Sequence, residues 1–273
     1  VAQFKMKNPK PEMAELGTPY FIAWTTTPWT LPSNTALCVG PKIDYVAVQT
    51  YNAYTGEPIT VVLAKALLNT HFNPKAADLK LEDYKVGDKL VPFKVIAEYK
   101  GADLIGMEYE QLIPWVKPVE VSEDGSWKVS DKGFRVIPGD YVTTEDGTGI
   151  VHIAPAFGED DNRVGRDYNL PFVQFVDGQG NMAKETPYAG VFVKKADPMV
   201  LKDLDEKGLL FDAPKFEHSY PHCWRCDTPL LYYARESWFI KMTAVKDDLI
   251  RNNETINWIP ESCLLYTSDA ADE

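Results

Sequence analysis

Residues 20–32 read Tyr20-Phe21-Ile22-Ala23-Trp24-Thr25-Thr26-Thr27-Pro28-Trp29-Thr30-Leu31-Pro32. The first five form an apolar run of strand-forming types and read as a buried strand. The three threonines that follow are β-branched and favour extended backbone, while Pro28 and Pro32 remove backbone donors and stop a strand from propagating. The pattern predicts a buried strand that delivers a row of hydroxyls to a rim, where they would form a substrate cradle. Taken alone, the plainer reading is an ordinary strand end followed by a turn.

Working outward, further short β-rich runs cover 35–39, 45–50, 59–63, 90–99, 134–137, 149–153 and 172–176, each punctuated by glycine or proline. This spacing, with few helical interruptions, predicts a mainly β fold with α elements, a barrel or strongly curved sheet in place of a βαβ array. A short helix is expected at 64–69 and another at 160–168, opened by acids that suit a helix N-terminus. Asp197-Pro198 reads as an N-cap and first-turn proline for a helix over 198–207 closed by Gly208. A last helix is expected over 243–251.

The chain has 273 residues, 45% of them hydrophobic and 25% charged, which is ample for a sizeable core. It contains no apolar run of membrane-spanning length and no signal-peptide layout at its start, so a cytoplasmic location is expected. The net charge of −12 argues against free-standing nucleic-acid binding, because phosphate contacts need clustered Lys and Arg. Any RNA contact must be local or assisted. The chain lacks an initiator methionine and opens with strand character, which reads as a fragment. Residues 263–273 break from the preceding text and resemble a translated sequencing-adapter remnant, a non-native tail; without its three acids the net charge is still −9.

A second stretch, Gly147-Thr148-Gly149-Ile150-Val151-His152-Ile153-Ala154-Pro155-Ala156-Phe157-Gly158-Glu159-Asp160-Asp161, reads strand, turn, helix. The glycines permit close backbone approach, Pro155 ends the strand and Gly158 frees the chain to turn. His152 then falls near a strand end and Asp161 in the first helical turn, close enough to share a pocket. In isolation His152 reads as a hydrogen-bonded core histidine, and the three acids as a helix-start charge cluster. A third stretch is His218-Ser219-Tyr220-Pro221-His222-Cys223-Trp224-Arg225-Cys226-Asp227-Thr228-Pro229-Leu230, followed by Ser237-Trp238-Phe239-Ile240. Its Cys-x-x-Cys is half of a four-ligand zinc site, or a pair of free thiols.

Together, residues 25–34 and 147–161 closely resemble the editing-domain signatures of isoleucyl-tRNA synthetase, with valyl and leucyl enzymes more distant. The third stretch resembles that family's return from the editing insertion toward its catalytic core. The resemblance implies a β-barrel-like editing domain over 18–215, an incoming linker strand over 1–17, and a return segment with a half zinc-ribbon over 216–262. It implies post-transfer hydrolysis of mischarged Val-tRNA(Ile) without a cofactor. The partners would be the valine-bearing tRNA 3′ end and the rest of the synthetase, in a monomer with no membrane association. The family's need is physical: one methylene gives a hydrophobic pocket only about 1–3 kcal/mol, a limit for which this family is itself the standard example.

Residue by residue, the resemblance sets Thr25, Thr26, Thr27 and Trp29 against the misacylated end, where hydroxyls can bond the adenosine, the ester and a water. Asp161 would take the substrate α-ammonium by a charge-assisted bond, with Asp160 the nearest competitor for that role. His152 would line the side-chain pocket, with a role in orienting water as the alternative. Asn34 and Gly149 would support the same site. No covalent intermediate is expected, since a threonine with no adjacent base is a poor nucleophile. Cys223 and Cys226 would hold a structural zinc only with a partner pair upstream in the full-length parent; His218 and His222 are alternative local ligands, strained by their crowding and by Pro221. The His-x-Gly-His and Lys-Met-Ser-Lys-Ser signatures of amino-acid activation do not occur in the chain. The rival functions are a non-catalytic module that positions a tRNA end, and a metal-dependent hydrolase using His152, Asp160 and Asp161.

Overall fold

The structure is a computed structural model that describes residues 1–121, 127–215 and 219–264. It divides into two compact units, Val1–Ala234 and Arg235–Glu273.

In the first unit, β1 (Ala2–Lys5), β2 (Thr18–Ala23), β4 (Asp44–Tyr51), β5 (Pro58–Ala64) and β6 (Lys94–Lys100) build a five-stranded sheet in the order β1-β2-β5-β4-β6. Only the β2–β5 pair is parallel. A second sheet has the order β10-β3-β9, from β3 (Ala36–Val39), β9 (Arg135–Pro138) and β10 (Ile150–Ile153). A separate antiparallel pair joins β7 (Val119–Val121) to β8 (Trp127–Val129). Bridges Met6–Tyr109 and Glu108–Arg135 stitch the β1 edge toward β9, so the barrel-like expectation survives as two linked sheets that stay open. The fold is mainly β with α elements.

Side chains one residue apart on a strand point to opposite faces, and here both faces are covered. Phe4, Phe21, Tyr45, Ala47 and Val62 from the large sheet meet Leu37, Val39, Val136 and Ile150 from the small one in the central core. Their neighbours Ile22, Val46, Val48, Val61 and Leu63 pack outward on Phe72 and Phe93, and Ala36, Cys38, Ile137 and Ile153 pack on Val164 and Leu170. Burial on two faces is why these strands read as nearly unbroken apolar runs.

Among the described residues there are four α-helices: α1 (Leu68–His71), α2 (Glu159–Asp167), α3 (Val193–Glu206) and, in the second unit, α4 (Lys246–Glu254). The α3 helix begins five residues before the expected start, so Pro198 lies inside it and Asp197 is not its cap. Burial of Val193 and Ala196 in the first turn offsets the bond that an internal proline forfeits. Gly208, at φ +65°, ends it as expected. The run 172–176 is not a strand: Phe172 is exposed, and Val176 makes one isolated bridge to Met182. Residues 1–17, expected as an incoming linker strand, include β1 of the large sheet, and the first compact unit runs from Val1 to Ala234.

The small sheet is fastened to the large one beside the future site. The phenol of Tyr45 accepts from the Gly40 N–H at 3.0 Å and donates to the Gly149 carbonyl at 2.7 Å, fully buried. Thr148 adds a bond from its hydroxyl to the Ile22 carbonyl at 2.7 Å. Tyr45→Phe leaves one buried donor and one buried acceptor unpaired, a loss of about 1–3 kcal/mol. Urea unfolding should show it as a lower midpoint at unchanged slope.

Candidate functional site

The β10 strand enters through Gly147 and Gly149, both in the left-handed region at φ +73° and +71°. A Cβ on Gly149 would lie 2.3 Å from that of Ala64, so both conformation and close packing require glycine there. Ile150 faces the central core, and two residues on, His152 points to the same side opposite Leu37. The ring therefore ends beneath the threonine segment.

That segment leaves β2 at Ala23 and, from Pro28 to Ser33, winds into a 3-10 helix instead of a simple turn. Its spacing of three residues brings Thr27 and Thr30 together. Thr25 Oγ1 accepts from the Thr27 N–H at 3.0 Å and lies 3.2 Å from Thr27 Oγ1, which is 3.4 Å from Thr30 Oγ1. Thr30 Oγ1 donates to the Thr27 carbonyl at 2.8 Å and is 3.1 Å from His152 Nε2. On the other side of the ring, Asn34 Nδ2 is 3.5 Å from Nδ1 and donates to the Ala36 carbonyl at 2.9 Å, while Asn34 Oδ1 accepts from Tyr109 at 2.6 Å.

Proton bookkeeping assigns the imidazole. The one hydroxyl proton of Thr30 is spent on Thr27, so its oxygen accepts from His152, and Nε2 carries the hydrogen. Nδ1 then offers its lone pair to the amide of Asn34. Both nitrogens are engaged by a neutral ring, and burial pushes the His152 pKa down to about 4, which agrees.

A cavity of about 340 Å³ opens over this chain, walled by Trp24, Thr25, Thr26, Tyr141, Gly149 and His152, with Thr143 and Asp146 among the other lining residues. Thr27 joins it through the hydroxyl of Thr25, and Asn34 stands behind His152 in the core. Hollows of about 740 and 280 Å³ elsewhere in the unit, walled by residues such as Leu79, Phe93 and Tyr54, lack such a hydroxyl array.

Trp29, expected to face substrate, is 3% exposed and packs edge-on against Phe157 at 4.9 Å, with Phe175, Met182 and Val193 around it. The 3-10 winding turns the indole inward. Asp161 is not among the cavity's lining residues: its Oδ1 accepts from the Ala154 N–H at 2.8 Å, holding the corner between β10 and α2. Burial raises its pKa above the ordinary carboxylate value, against the pull of that bond. Asp160 faces outward and pairs with Arg163 at 2.7 Å.

Sequence reading missed Thr30 as a site residue, along with Tyr109, Tyr141 and Asp197. The Thr27-to-Thr30 spacing was a usable signal for the first. Nothing local marks Asp197, whose carboxylate accepts from the Trp29 N–H at 2.9 Å across 168 residues.

Cys223 and Cys226 lie on one turn, where the Asp227 N–H donates to the Cys223 carbonyl at 2.8 Å. Cys226 Sγ sits 3.0 Å from Thr228 Oγ1, a contact that lowers its pKa. Among the described residues no three His, Cys, Asp or Glu side chains are grouped to hold a metal ion; His218 lies outside the described residues. Both thiols are free, and two such ligands are fewer than the four of a tetrahedral zinc site.

No family model matches the chain. Sequence relatives do: the isoleucine–tRNA ligase of Bacteroides thetaiotaomicron is 64% identical over 311 aligned positions, covering 96% of this chain and 27% of that protein. Those of Bacteroides fragilis and Cytophaga hutchinsonii are 60% and 49% identical, each over 96% of this chain and 25% of the relative. The chain spans about a quarter of the length of these curated relatives. Among solved structures, GlLeuRS-CP1 aligns with a TM-score of 0.49 at 15% identity, over 78% of this chain and 98% of that one. The P. knowlesi cytosolic leucyl-tRNA synthetase editing domain gives 0.49 at 12%, over 76% and 94%. Sequence identity of this order along nearly the whole chain places it among the aminoacyl-tRNA synthetases. It belongs to the isoleucine–tRNA ligase family.

The assigned ring has a pH signature. Its folded pKa of about 4 lies below the ordinary 6.5, so the neutral ring's contribution to stability is complete above 6.5 and is lost as pH falls toward 4. Nuclear magnetic resonance of histidine-labelled protein should show the Nε2–H form at neutral pH, with protonation only near pH 4. A ring that titrates near 6.5 contradicts the assignment.

Proposed function

We propose that this chain hydrolyses the ester of valine-charged tRNA(Ile), as the editing part of an isoleucine–tRNA ligase. The observation that carries the reading is the continuous hydrogen-bonded series Thr25, Thr27, Thr30, His152, Asn34, Tyr109, which ends in open hydroxyls at a small cavity. In this reading the oxygen of a water attacks the ester carbonyl, the bond from that carbon to the ribose oxygen breaks, and the ribose oxygen takes the proton. The protein supplies position.

The committed protons decide which roles are open. With Nε2–H donated and the Nδ1 lone pair occupied, His152 serves as wall and anchor and not as general base. The threonine hydroxyls have no adjacent base, which supports direct attack by water without a covalent intermediate. Thr25 and Thr26 face the cavity and are suited to hold the water and the ester. Asp161 would meet the α-ammonium: an ionised carboxylate has about four acceptor sites, so the Ala154 bond leaves capacity, and an incoming cation would restore the charge that burial disfavours.

Selectivity would come from cavity size, His152 blocking the extra methylene of isoleucine. The net charge of −12 fits weak tRNA binding by this chain alone, with most phosphate contacts made by the rest of a monomeric, cytoplasmic synthetase. A zinc held by Cys223 and Cys226 with ligands from that remainder would be structural and outside the reaction.

Deacylation of Val-tRNA(Ile) against Ile-tRNA(Ile) tests this directly. Faster release of valine, unaffected by chelators, is expected; equal rates, or no valine release at high protein concentration, would overturn it. Asp161→Ala should abolish the preference. Thr30→Val removes the oxygen that receives the His152 proton and should slow valine release about 10–100-fold by misplacing the hydroxyls.

A further inference from the structure

The 3-10 helix that carries Thr30 has an unusual start. Its N-cap residue, Thr27, makes no capping bond with its own side chain, although threonine is a favoured cap. Pro28 has no N–H to satisfy, so the first exposed donor is the N–H of Trp29. The structure fills that need from a distance, with Asp197 Oδ1 at 2.9 Å. The hydroxyl of Thr27 is thereby free to lie between those of Thr25 and Thr30.

We infer that Asp197 is a positioning residue of the site, capping the threonine helix from α3 so that the Thr27 hydroxyl is available to the array that faces substrate. Its effect on rate rests on the ester-hydrolysis reading, whereas the cap itself rests on geometry.

The surroundings of the carboxylate bear on the choice of aspartate. It is half-buried, and burial pushes its pKa up to about 6, opposed by the Trp29 N–H and by Lys194. Lys194, one turn earlier on α3, holds its ammonium 4.0 Å over the ring of Tyr220, whose phenol feels the Asp197 charge in turn. The 3-10 helix, Pro28–Ser33, contributes no titratable side chain. A folded pKa of about 6 above the ordinary 3.8 means that the folded state takes the proton more readily. Stability therefore declines as pH rises from about 4 to about 6, and the ionised form persists at neutral pH at a cost to the fold. The charge-assisted bond to Trp29 offsets only part of that cost, because the raised pKa already includes it.

The full chain, labelled at tryptophan, allows the Trp29 amide resonance to be followed by nuclear magnetic resonance in wild type, Asp197→Asn and Asp197→Ala. In wild type the resonance should shift with a midpoint near pH 6. In Asp197→Asn, which keeps a carbonyl acceptor, it should be flat with pH, and urea unfolding should show a higher midpoint than wild type at neutral pH. Asp197→Ala should move the resonance at every pH and lower kcat for Val-tRNA(Ile) deacylation about tenfold with little change in KM, and Asp197→Asn should recover most of that rate. A wild-type Trp29 amide indifferent to pH, or the same titration in Asp197→Asn, overturns the inference. So does an Asp197→Ala protein that keeps the wild-type rate and amide position. If Asp197→Ala does not fold, the comparison of wild type with Asp197→Asn decides the cap alone. If wild type shows no deacylation while its amide titrates as described, the cap stands and the ester-hydrolysis reading falls.

Discussion

A bond from the phenol of Tyr109 to the side-chain oxygen of Asn34 sets the direction of every proton in the site. Tyr109 is fully buried and its pKa stands well above the ordinary value, so it donates. Asn34 must turn its oxygen to that donor, at 2.6 Å, and its amide nitrogen to Ala36 and His152. The ring is then an acceptor at Nδ1 and a donor at Nε2, Thr30 receives that proton, and Thr30 spends its own on the Thr27 carbonyl. An unpaired buried group costs about 1–3 kcal/mol, and reversing one member would unpair the next. The order is fixed from the core outward, and the open hydroxyls come last.

This dependence explains what was legible in the sequence. Residues 20–24 and 59–63 announced strands because two covered faces demand unbroken apolar runs, and Gly208 announced a helix end because its positive φ suits glycine. The association of the threonine segment with His152 came from resemblance, since no periodicity links positions 122 residues apart. Asp197-Pro198 looked like a helix start because those types occur there locally, yet Asp197 serves a different helix and Val193 and Ala196 extend α3 backward. Run 172–176 has strand composition, but its backbone finds partners in a loop, where Ala183 donates to Phe175. Trp29 misled for a related reason: an aromatic beside hydroxyls suggests a substrate face, while a 3-10 helix rotates every third residue alike and turns this one to the core.

Burial acts on the site's ionisable groups in one sense, against charge. It lowers His152 and raises Asp161 and Asp197. The imidazole answers by staying neutral with both nitrogens paired, whereas each carboxylate holds a backbone N–H, from Ala154 or Trp29. The hydroxyls between them are uncharged. On the proposed reaction, such an environment would suit a ligand that brings positive charge to Asp161 better than one that brings phosphate alone, in keeping with a chain of net charge −12.

On the proposed reaction, rejecting a single methylene is worth only about 1–3 kcal/mol to a pocket that merely contacts it, so exclusion must come from a wall that does not yield. The structure stiffens that wall at both ends of β10. At its start, Gly149 is pressed against Ala64 and its carbonyl is held by Tyr45, which ties the strand to the large sheet. At its end, Asp161 fastens Ala154 to the first turn of α2. His152 stands between these two anchors with both ring nitrogens committed, so turning the ring aside to admit a larger side chain would break bonds on both sides of it. A histidine left free to titrate or flip would be a softer wall, and the buried pair Asn34 and Tyr109 is what denies it that freedom.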